Sequence, residues 1–243
     1  MNDDETWLLA LETSGDICSV ALLRSATVHE EVTFRHSMHL SERLMGIVNQ
    51  VLEVHNLQVN HLGCIAIGVG PGSFTGTRIG VTTAKTLATV LQCRLYGVST
   101  LQALAEPYCG LVSHIVGVML PCRKSVVFAA AYDVSGTEPV ELLTPQAVEV
   151  ELFRAQLSAL KKPVLLCGEG SPSLVVGSAD NLLQTVSTVQ WPAAHSIGRL
   201  AFRRIALQDL GDDPLTLTPT YLAPPPISQP KVPIPQPPQS SDL

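Results

Sequence analysis

A glycine-rich segment is the part of the chain whose residue types and spacing point most directly to chemistry. Gly68–Gly80 reads GVGPGSFTGTRIG and follows a short apolar run, which predicts a turn between a strand and a helix. Gly70 and Gly72 allow backbone geometries closed to other residues, and Ser73 or Thr75 can cap the new helix. Free N–H groups at such a helix start can bind phosphate. A purely structural turn explains the same residues, and the P-loop spacing is absent.

Histidines and cysteines, which often hold metals or act as nucleophiles, are scattered along the chain. We identify no acidic partner for the pair His36 and His39, and no His-x-x-x-His is present, so no metal site is predicted. The six cysteines lack a Cys-x-x-Cys pair, which is typical of reduced thiols in a cytosolic protein. No Ser/His/Asp or Cys/His set has a suitable spacing, so no catalytic residue is predicted.

The first half of the chain predicts three strands in a meander, followed by alternating helices and strands. Short apolar runs bounded by turn residues mark the strands, and an apolar stripe at helical spacing marks the first helix. The predicted strands are Trp7–Leu11, Ile17–Leu23, Thr27–Thr33, Cys64–Val69 and Tyr96–Val98, and the predicted helices are Met38–His55, Ser73–Leu91 and one capped by Ser99. The glycine-rich turn would therefore lie at the end of a buried strand.

The second half repeats this order. The predicted strands are His114–Leu120, Ser125–Asp133, Val140–Leu143 and Val164–Cys167, and the predicted helices are Ala147–Leu160 and His195–Gln208. Because β-β-β-α-β-α occurs twice, we predict an α/β fold of two duplicated lobes, each a mixed sheet with helices on its faces. The predicted boundaries are residues 1–106 for the N-terminal lobe, 107–222 for the C-terminal lobe and 223–243 for a tail.

This order resembles the ribonuclease H-like lobes of the actin, Hsp70 and sugar kinase superfamily, in which a nucleotide lies between two lobes. The resemblance implies that the first hairpin, residues 9–22, contacts phosphate and carries an acid that orients a metal. The acid here is Glu12, and without a second acid at a matching position we do not expect a Mg²⁺ site. The candidate nucleotide- or phosphate-binding residues are Glu12, Thr13, Ser14, Gly70, Gly72, Ser73 and Thr75.

Composition excludes several functional classes. Charged residues make up 15% of the chain, against about 25% in soluble domains, and the net charge is −6. The 15 basic residues are dispersed, which argues against a nucleic-acid-binding surface. No apolar run approaches the ~18 residues of a membrane span, and the acidic start of the chain is unlike a secretory signal. We therefore expect a cytoplasmic protein.

The last residues differ in composition from the rest. Residues 223–243 hold 8 of the 18 prolines and two charges, Lys231 and Asp242. Such a stretch cannot form a helix or a sheet ladder, so we predict a disordered tail, with a proline-rich docking peptide as the alternative. The tail does not explain the scarcity of charge, which is expected on the first-lobe helices. Ser73–Leu91 carries only Arg78 and Lys85, and a surface so poor in charge fits a helix pair covered by a partner.

Four segments together resemble the TsaB (YeaZ) family. They are LALETS at residues 9–14, CSVAL at 18–22, GPGSFTGTRIG at 70–80 and GVSTL at 97–101. The resemblance is strong over residues 7–106 and weaker through the second lobe. It implies a non-catalytic scaffold that binds and activates the TsaD enzyme, which transfers a threonylcarbamoyl group to adenosine 37 of tRNA. It also implies a TsaE-like ATPase partner, only indirect contact with tRNA, and a homodimer where TsaD is absent.

The resemblance also implies a partner surface. Family members use their first two helices to form a bundle with TsaD or with a second copy. The candidate partner-binding residues are Leu44, Ile47, Val48, Val51, Arg78 and Thr82. A strip of small residues runs along the second helix, at Gly76, Gly80, Ala84 and Ala88. It allows close approach either to the lobe's own sheet or to a partner helix.

The sequence departs from the family pattern in both lobes. Gly46 stands where the first helix often has a proline, and the segment Pro121–Phe128 keeps Arg123 but lacks two acids common there. An alternative function is a small-molecule kinase or nucleotide hydrolase of the same superfamily, for which Glu12 and Glu169 are the plausible acids. A stand-alone homodimeric binding module is a third. No cofactor is expected, with residual ATP or ADP binding left open.

Overall fold

Two five-stranded mixed sheets form the frame of the protein. The computed structural model describes residues 6–35, 39–111, 115–170, 183–185 and 190–224. In each sheet, three antiparallel strands in a meander are extended by strands added in parallel. The predicted fold class, α/β with duplicated mixed-sheet lobes and helices on the faces, is confirmed.

The first sheet has the spatial order β3-β2-β1-β4-β5. Its strands are β1 (Trp7–Glu12), β2 (Ile17–Arg24), β3 (Thr27–Arg35), β4 (Leu62–Gly68) and β5 (Arg94–Val98). Strands β1, β2 and β4 are nearly continuous apolar runs because helices cover both faces of the sheet. Since β1 and β4 pair in parallel, their carboxyl ends lie side by side. This pairing brings the first hairpin turn next to the glycine-rich segment.

The second sheet repeats the arrangement, with the order β10-β9-β6-β7-β8. Its strands are β6 (Ile115–Arg123), β7 (Val126–Asp133), β8 (Val140–Glu149), β9 (Val164–Cys167) and β10 (Leu183–Thr185). Counted by position within each half of the chain, both sheets have the order third, second, first, fourth, fifth. The repeat read from the sequence therefore holds at the level of the sheets.

Five helices within the described residues cover the sheets. They are α1 (Leu40–Glu53), α2 (Phe74–Leu91), α3 (Thr100–Ala105), α4 (Val150–Ala159) and α5 (Ala194–Ala206). Helices α1 and α2 pack together on one face of the first sheet, and α4 packs on one face of the second. None of the helices described here combines the length and the apolar character that crossing a bilayer requires.

Helix α5 packs against the first sheet, although its place in the chain predicted a position in the C-terminal lobe. Its Ile197 lies in one apolar cluster with Leu8 of β1. Conversely, α3 belongs to the first half of the chain, but its Leu101 lies in the core of the second sheet. The predicted boundaries, residues 1–106 and 107–222, therefore separate the sheets but not the cores, because each half of the chain supplies a helix to the other.

Some element boundaries also differ from the prediction. The predicted helix Ala147–Leu160 begins at Val150, because the three residues before it continue β8 and pair with β7. Strand β10 has only three residues, too few for a periodic pattern to reveal. The predicted helix start at Met38, the predicted strand start at His114 and the tail 225–243 lie outside the described residues.

An acidic residue of β3 binds the start of α5. Glu31 Oε1 accepts a hydrogen bond from the His195 amide at 3.2 Å, and Oε2 lies 2.7 Å from His195 Nδ1. Burial alone would raise the pKa of Glu31, but the hydrogen bond and charge of His195 outweigh it and hold this pKa below its ordinary value. The ionised carboxylate therefore stabilises the folded state.

We expect Glu31→Gln to lower the free energy of unfolding by about 1 kcal/mol at neutral pH. Because the folded-state pKa of Glu31 is depressed, its contribution is present above the unfolded-state pKa and is lost as pH falls through the folded-state value. Urea unfolding of both proteins at about pH 7 and about pH 3.5 should show the difference shrinking at the lower pH. A difference that stays the same at both pH values would contradict this account.

Candidate functional site

The glycine-rich segment packs directly on the turn of the first hairpin. The amide of Ser73 donates to the Ser14 carbonyl at 2.6 Å, and Thr13 Oγ1 donates to the Gly76 carbonyl at 2.8 Å. A Cβ at Gly72 would lie 2.3 Å from the Ser14 carbonyl oxygen, closer than any side chain allows. The close approach of the two backbone segments therefore explains why glycine is needed here. This agrees with the interpretation of the segment as a structural turn.

Helix α2 begins as the sequence predicts, and its strip of small residues faces inward. Ser73 Oγ accepts a hydrogen bond from the Gly76 amide at 3.3 Å and caps the helix. A Cβ at Gly80 would lie 3.0 Å from Ile67 Cδ1 of β4, and Ala84 and Ala88 lie in the first-lobe core. Of the two uses predicted for the strip, packing on the lobe's own sheet is confirmed.

Glu12 is completely buried beneath the hairpin turn. Its carboxylate accepts hydrogen bonds from the Ser14 amide at 2.6 Å and from the Thr100 hydroxyl at 3.1 Å. Burial raises the pKa of Glu12, and the bonds from Ser14 and Thr100 oppose this shift only in part. Because both carboxylate oxygens are bound inside the protein, Glu12 fixes the hairpin and does not reach a ligand. Glu12, a candidate nucleotide- or phosphate-binding residue in the sequence, is therefore enclosed beneath the hairpin and is not part of the wall of the cleft.

A cleft of about 830 Å³ lies between the two lobes, beside the glycine-rich segment. The β6–β7 hairpin forms the wall opposite, where it contributes Arg123. The predicted ligand-binding residues on the wall of the cleft are Ser14, Gly72, Ser73 and Thr75. Those that are buried behind it are Glu12, Thr13 and Gly70. The fold thus brings together part of the predicted set at a place large enough for a ligand.

Two acids line this cleft, although no motif in the sequence links them. Asp16 lies in the first hairpin turn, and Glu169, the acid named for the kinase alternative, follows β9. Burial raises the pKa of Glu169, and the charge of Asp16 raises it further. Arg123 is the only cation among the described lining residues. Two carboxylates against one cation do not form an attractive field for a polyphosphate.

The C-terminal residues 209–224, here called the strap, run across α2 to the mouth of the cleft. Tyr221 packs on Phe74 with ring centroids 5.0 Å apart. The Arg78 guanidinium lies 3.9 Å from the Phe74 ring centroid, and its Nε donates to Tyr221 Oη at 2.7 Å. Lys85 Nζ donates to the Leu217 carbonyl at 2.8 Å. Both charged side chains of α2 therefore bind the strap.

Most of the predicted partner-binding residues are buried in the lobe's own core, and this prediction is wrong for them. They are Leu44, Ile47, Val48 and Val51. Their spacing places them on one face of α1, and that face covers the sheet. Of the others, Arg78 is exposed with its guanidinium bound to Tyr221, and Thr82 is exposed.

The outward face of α2 carries a row of uncharged side chains, here called the threonine ridge. Its members are Thr82, Thr86, Thr89 and Val90, all exposed. Helix α2 contains no acid, and both of its cations are bound to the strap. The ridge therefore presents methyl and hydroxyl groups without a free charge. The low proportion of charged residues in the sequence is therefore reflected in an exposed surface on α2.

The described residues contain no group of three histidines, cysteines or acids arranged to hold a metal. His39 lies exposed at the start of α1, with its Nδ1 3.4 Å from Glu42 Oε2. His36, the other histidine of that pair, lies outside the described residues. All six cysteines are described and form no disulfide. The site is therefore defined by the cleft, the strap and the threonine ridge.

Comparison with known proteins shows the family. The sequence model of the TsaD family, described as tRNA N6-adenosine threonylcarbamoyltransferase, matches residues 31–163. A tRNA threonylcarbamoyladenosine biosynthesis protein, TsaB of Bacillus subtilis, is 32% identical over 193 residues, which are 78% of this chain and 82% of the relative. The chain belongs to the TsaB family. The resemblance drawn from the hairpin and glycine-rich motifs is thereby confirmed.

Further TsaB relatives agree with this assignment. TsaB of Escherichia coli is 35% identical over 99 residues, which are 41% of this chain and 42% of the relative. The solved structure of YeaZ from Pseudomonas aeruginosa has a TM-score of 0.77 and 26% identity, and the match covers 89% of this chain and 100% of that one. The chain is therefore a TsaB family protein of tRNA threonylcarbamoyladenosine biosynthesis, with the fold of YeaZ.

Proposed function

We propose that this TsaB family protein is a non-catalytic scaffold subunit that binds and activates a TsaD-type threonylcarbamoyltransferase for modification of adenosine 37 in tRNA. The observation that carries the proposal is the threonine ridge. Its four exposed side chains are uncharged, on a chain whose net charge is −6. Surfaces that partners cover are depleted in charged residues at their centre.

The energetics of docking favour this face. Taking an unpaired charge out of water costs several kcal/mol, whereas burying a threonine methyl group is favourable. The two cations of α2 already have partners in the strap, Tyr221 and the Leu217 carbonyl. A protein that covers the ridge would leave both of these bonds in place, and the ridge side chains themselves bring no charge to desolvate.

The proposal includes the other members of the assembly. A TsaE-like ATPase joins the complex, tRNA is contacted only through the complex, and two copies of this chain pair through the same ridge where TsaD is absent. The chain acts in the cytoplasm without a cofactor of its own. The enclosure of Glu12 by Ser14 and Thr100 supports a scaffold over the kinase alternative, because that acid is not available for a metal or a substrate.

Thr82→Glu tests the ridge. A carboxylate at this exposed position would be desolvated without a partner in the complex, so we expect at least about tenfold weaker binding to the TsaD-type protein of the same cell. Binding is measured by isothermal titration. Threonylcarbamoylation of tRNA by the reconstituted enzymes, followed by mass spectrometry of nucleosides, should fall in parallel at limiting scaffold concentration.

The matched control is Thr144→Glu on β8, an exposed threonine of the second lobe. It adds the same charge and should leave binding and modification unchanged. Equal binding by the two variants would reject the ridge as the docking surface. Full tRNA modification without the protein would reject the scaffold function itself.

A further inference from the structure

The interlobe cleft fits a segment of this same chain. Strap residues 220–224 form part of its lining, so the described chain ends in the wall of the cleft. Aromatic residues from three separate elements contribute to the lining. They are Phe74 of α2, Phe128 of β7 and Tyr221 of the strap. Grooves lined by aromatic side chains are the surfaces that recognise proline-rich segments in the polyproline II conformation.

The sequence beyond Pro224 has the matching chemistry. Residues 225–243 contain two Pro-x-x-Pro repeats, Pro230–Pro233 and Pro235–Pro238. Lys231 is the only cation in these residues. A polyproline II segment advances about 3.1 Å per residue, so the seven residues from Pro224 to Lys231 reach about 22 Å.

We propose that the proline-rich tail, residues 225–243, folds back into the interlobe cleft of its own chain and pairs Lys231 with the carboxylates of Asp16 and Glu169. The tail begins at the cleft, so its local concentration there is that of a short tether, in the millimolar range. Weak contacts are sufficient for docking at this concentration.

The charges of the cleft support this occupant. Burial and the neighbouring charge of Asp16 both raise the pKa of Glu169, so the ionised form of Glu169 is disfavoured in the cleft. A lysine ammonium between the two carboxylates would relieve this repulsion. The tail's composition does not allow it to form a core of its own, and the cleft supplies the apolar surface that it lacks.

The native thiol of Cys122 reports occupancy, because Cys122 lines the cleft and is half-buried. We expect iodoacetamide to alkylate Cys122 slowly in the full-length protein and about fivefold faster in Lys231→Glu, since the rate follows the fraction of molecules with an open cleft. Peptide mass spectrometry resolves each thiol. Cys93 and Cys109, half-buried outside the lining of the cleft, serve as internal references and should not change.

Two further variants make the result specific. Lys162→Glu, at an exposed lysine beyond α4, is the matched control and should leave the Cys122 rate unchanged. Asp16→Lys should raise that rate, and combining it with Lys231→Glu should restore protection by exchanging the charges. Equal Cys122 rates in all of these proteins would overturn the proposal. Protection that disappears on dilution would place the tail of a second copy in the cleft, and would equally overturn docking within one chain.

Discussion

Replacing Gly76 by alanine is expected to lower the free energy of unfolding by about 3 kcal/mol, a large effect for one methyl group. The added Cβ would lie 2.2 Å from the carbonyl oxygen of Thr13. Neither segment can retreat easily, because Thr13 Oγ1 is itself bound to the Gly76 carbonyl at 2.8 Å. Relief requires moving α2 away from the first hairpin, and with it the strap and the wall of the cleft.

The matched control is Gly46→Ala in α1. This glycine is exposed, and no atom lies within 4 Å of the position its Cβ would take. Alanine should stabilise the helix there by about 0.5–1 kcal/mol, because it removes the backbone freedom of glycine from the unfolded chain. Urea unfolding followed by circular dichroism compares the two variants. Similar unfolding midpoints for both would show that backbone approach at Gly76 does not decide stability.

The position of α1 could be predicted from the sequence, but the surface that it offers could not. Apolar residues at helical spacing identify a helix and the face of that helix that becomes buried. They do not say whether that face meets the lobe's own sheet or a partner, and for Leu44 and Val48 it meets the sheet. The exposed face of α2 carries no periodic apolar signal, since its ridge is made largely of threonines. Scarcity of charge was the only trace of it in the sequence.

Contacts between distant parts of the chain are a second feature that could not be predicted from the sequence. The repeated strand order revealed both sheets, because each meander is formed by neighbouring segments. The destination of α5 has no such local signature, and the Ala194 amide that docks it donates to Ser19 Oγ, 175 residues away. Asp16 and Glu169 are separated in the same way and come together only because the first hairpin turn and the segment after β9 line one cleft. The sequence shows Glu12 as a polar residue at the end of an apolar run, but it does not show that this side chain is buried.

Because the lobes exchange helices, the buried acid Glu106 connects their two cores. Glu106 follows α3, which packs in the second lobe, and binds side chains of α5, which packs in the first. Its Oε1 accepts from Arg203 Nη2 at 3.0 Å, and its Oε2 accepts from Ser196 Oγ at 3.1 Å. Arg199 Nη1 lies 3.7 Å from the same Oε2. The carboxylate is 4% exposed, so water cannot replace these partners.

Glu106→Ala should therefore lower the free energy of unfolding by about 3–4 kcal/mol, because it leaves the arginines beside a cavity without their counter-charge. Calorimetry should also show the transition broadening or splitting as the lobes unfold less cooperatively. Glu53→Ala, an exposed acid of α1, is the control and should change stability by less than about 0.5 kcal/mol.

A double-mutant cycle separates the ion pair from simple loss of packing. If Glu106 and Arg203 stabilise the protein through each other, Glu106→Ala combined with Arg203→Ala should be more stable than the sum of the single losses predicts, by about 1–3 kcal/mol. The reason is that the second substitution removes the charge that the first leaves unpaired. Strictly additive losses would mean that each side chain acts through its own packing, and that the lobes are joined by the exchanged helices alone.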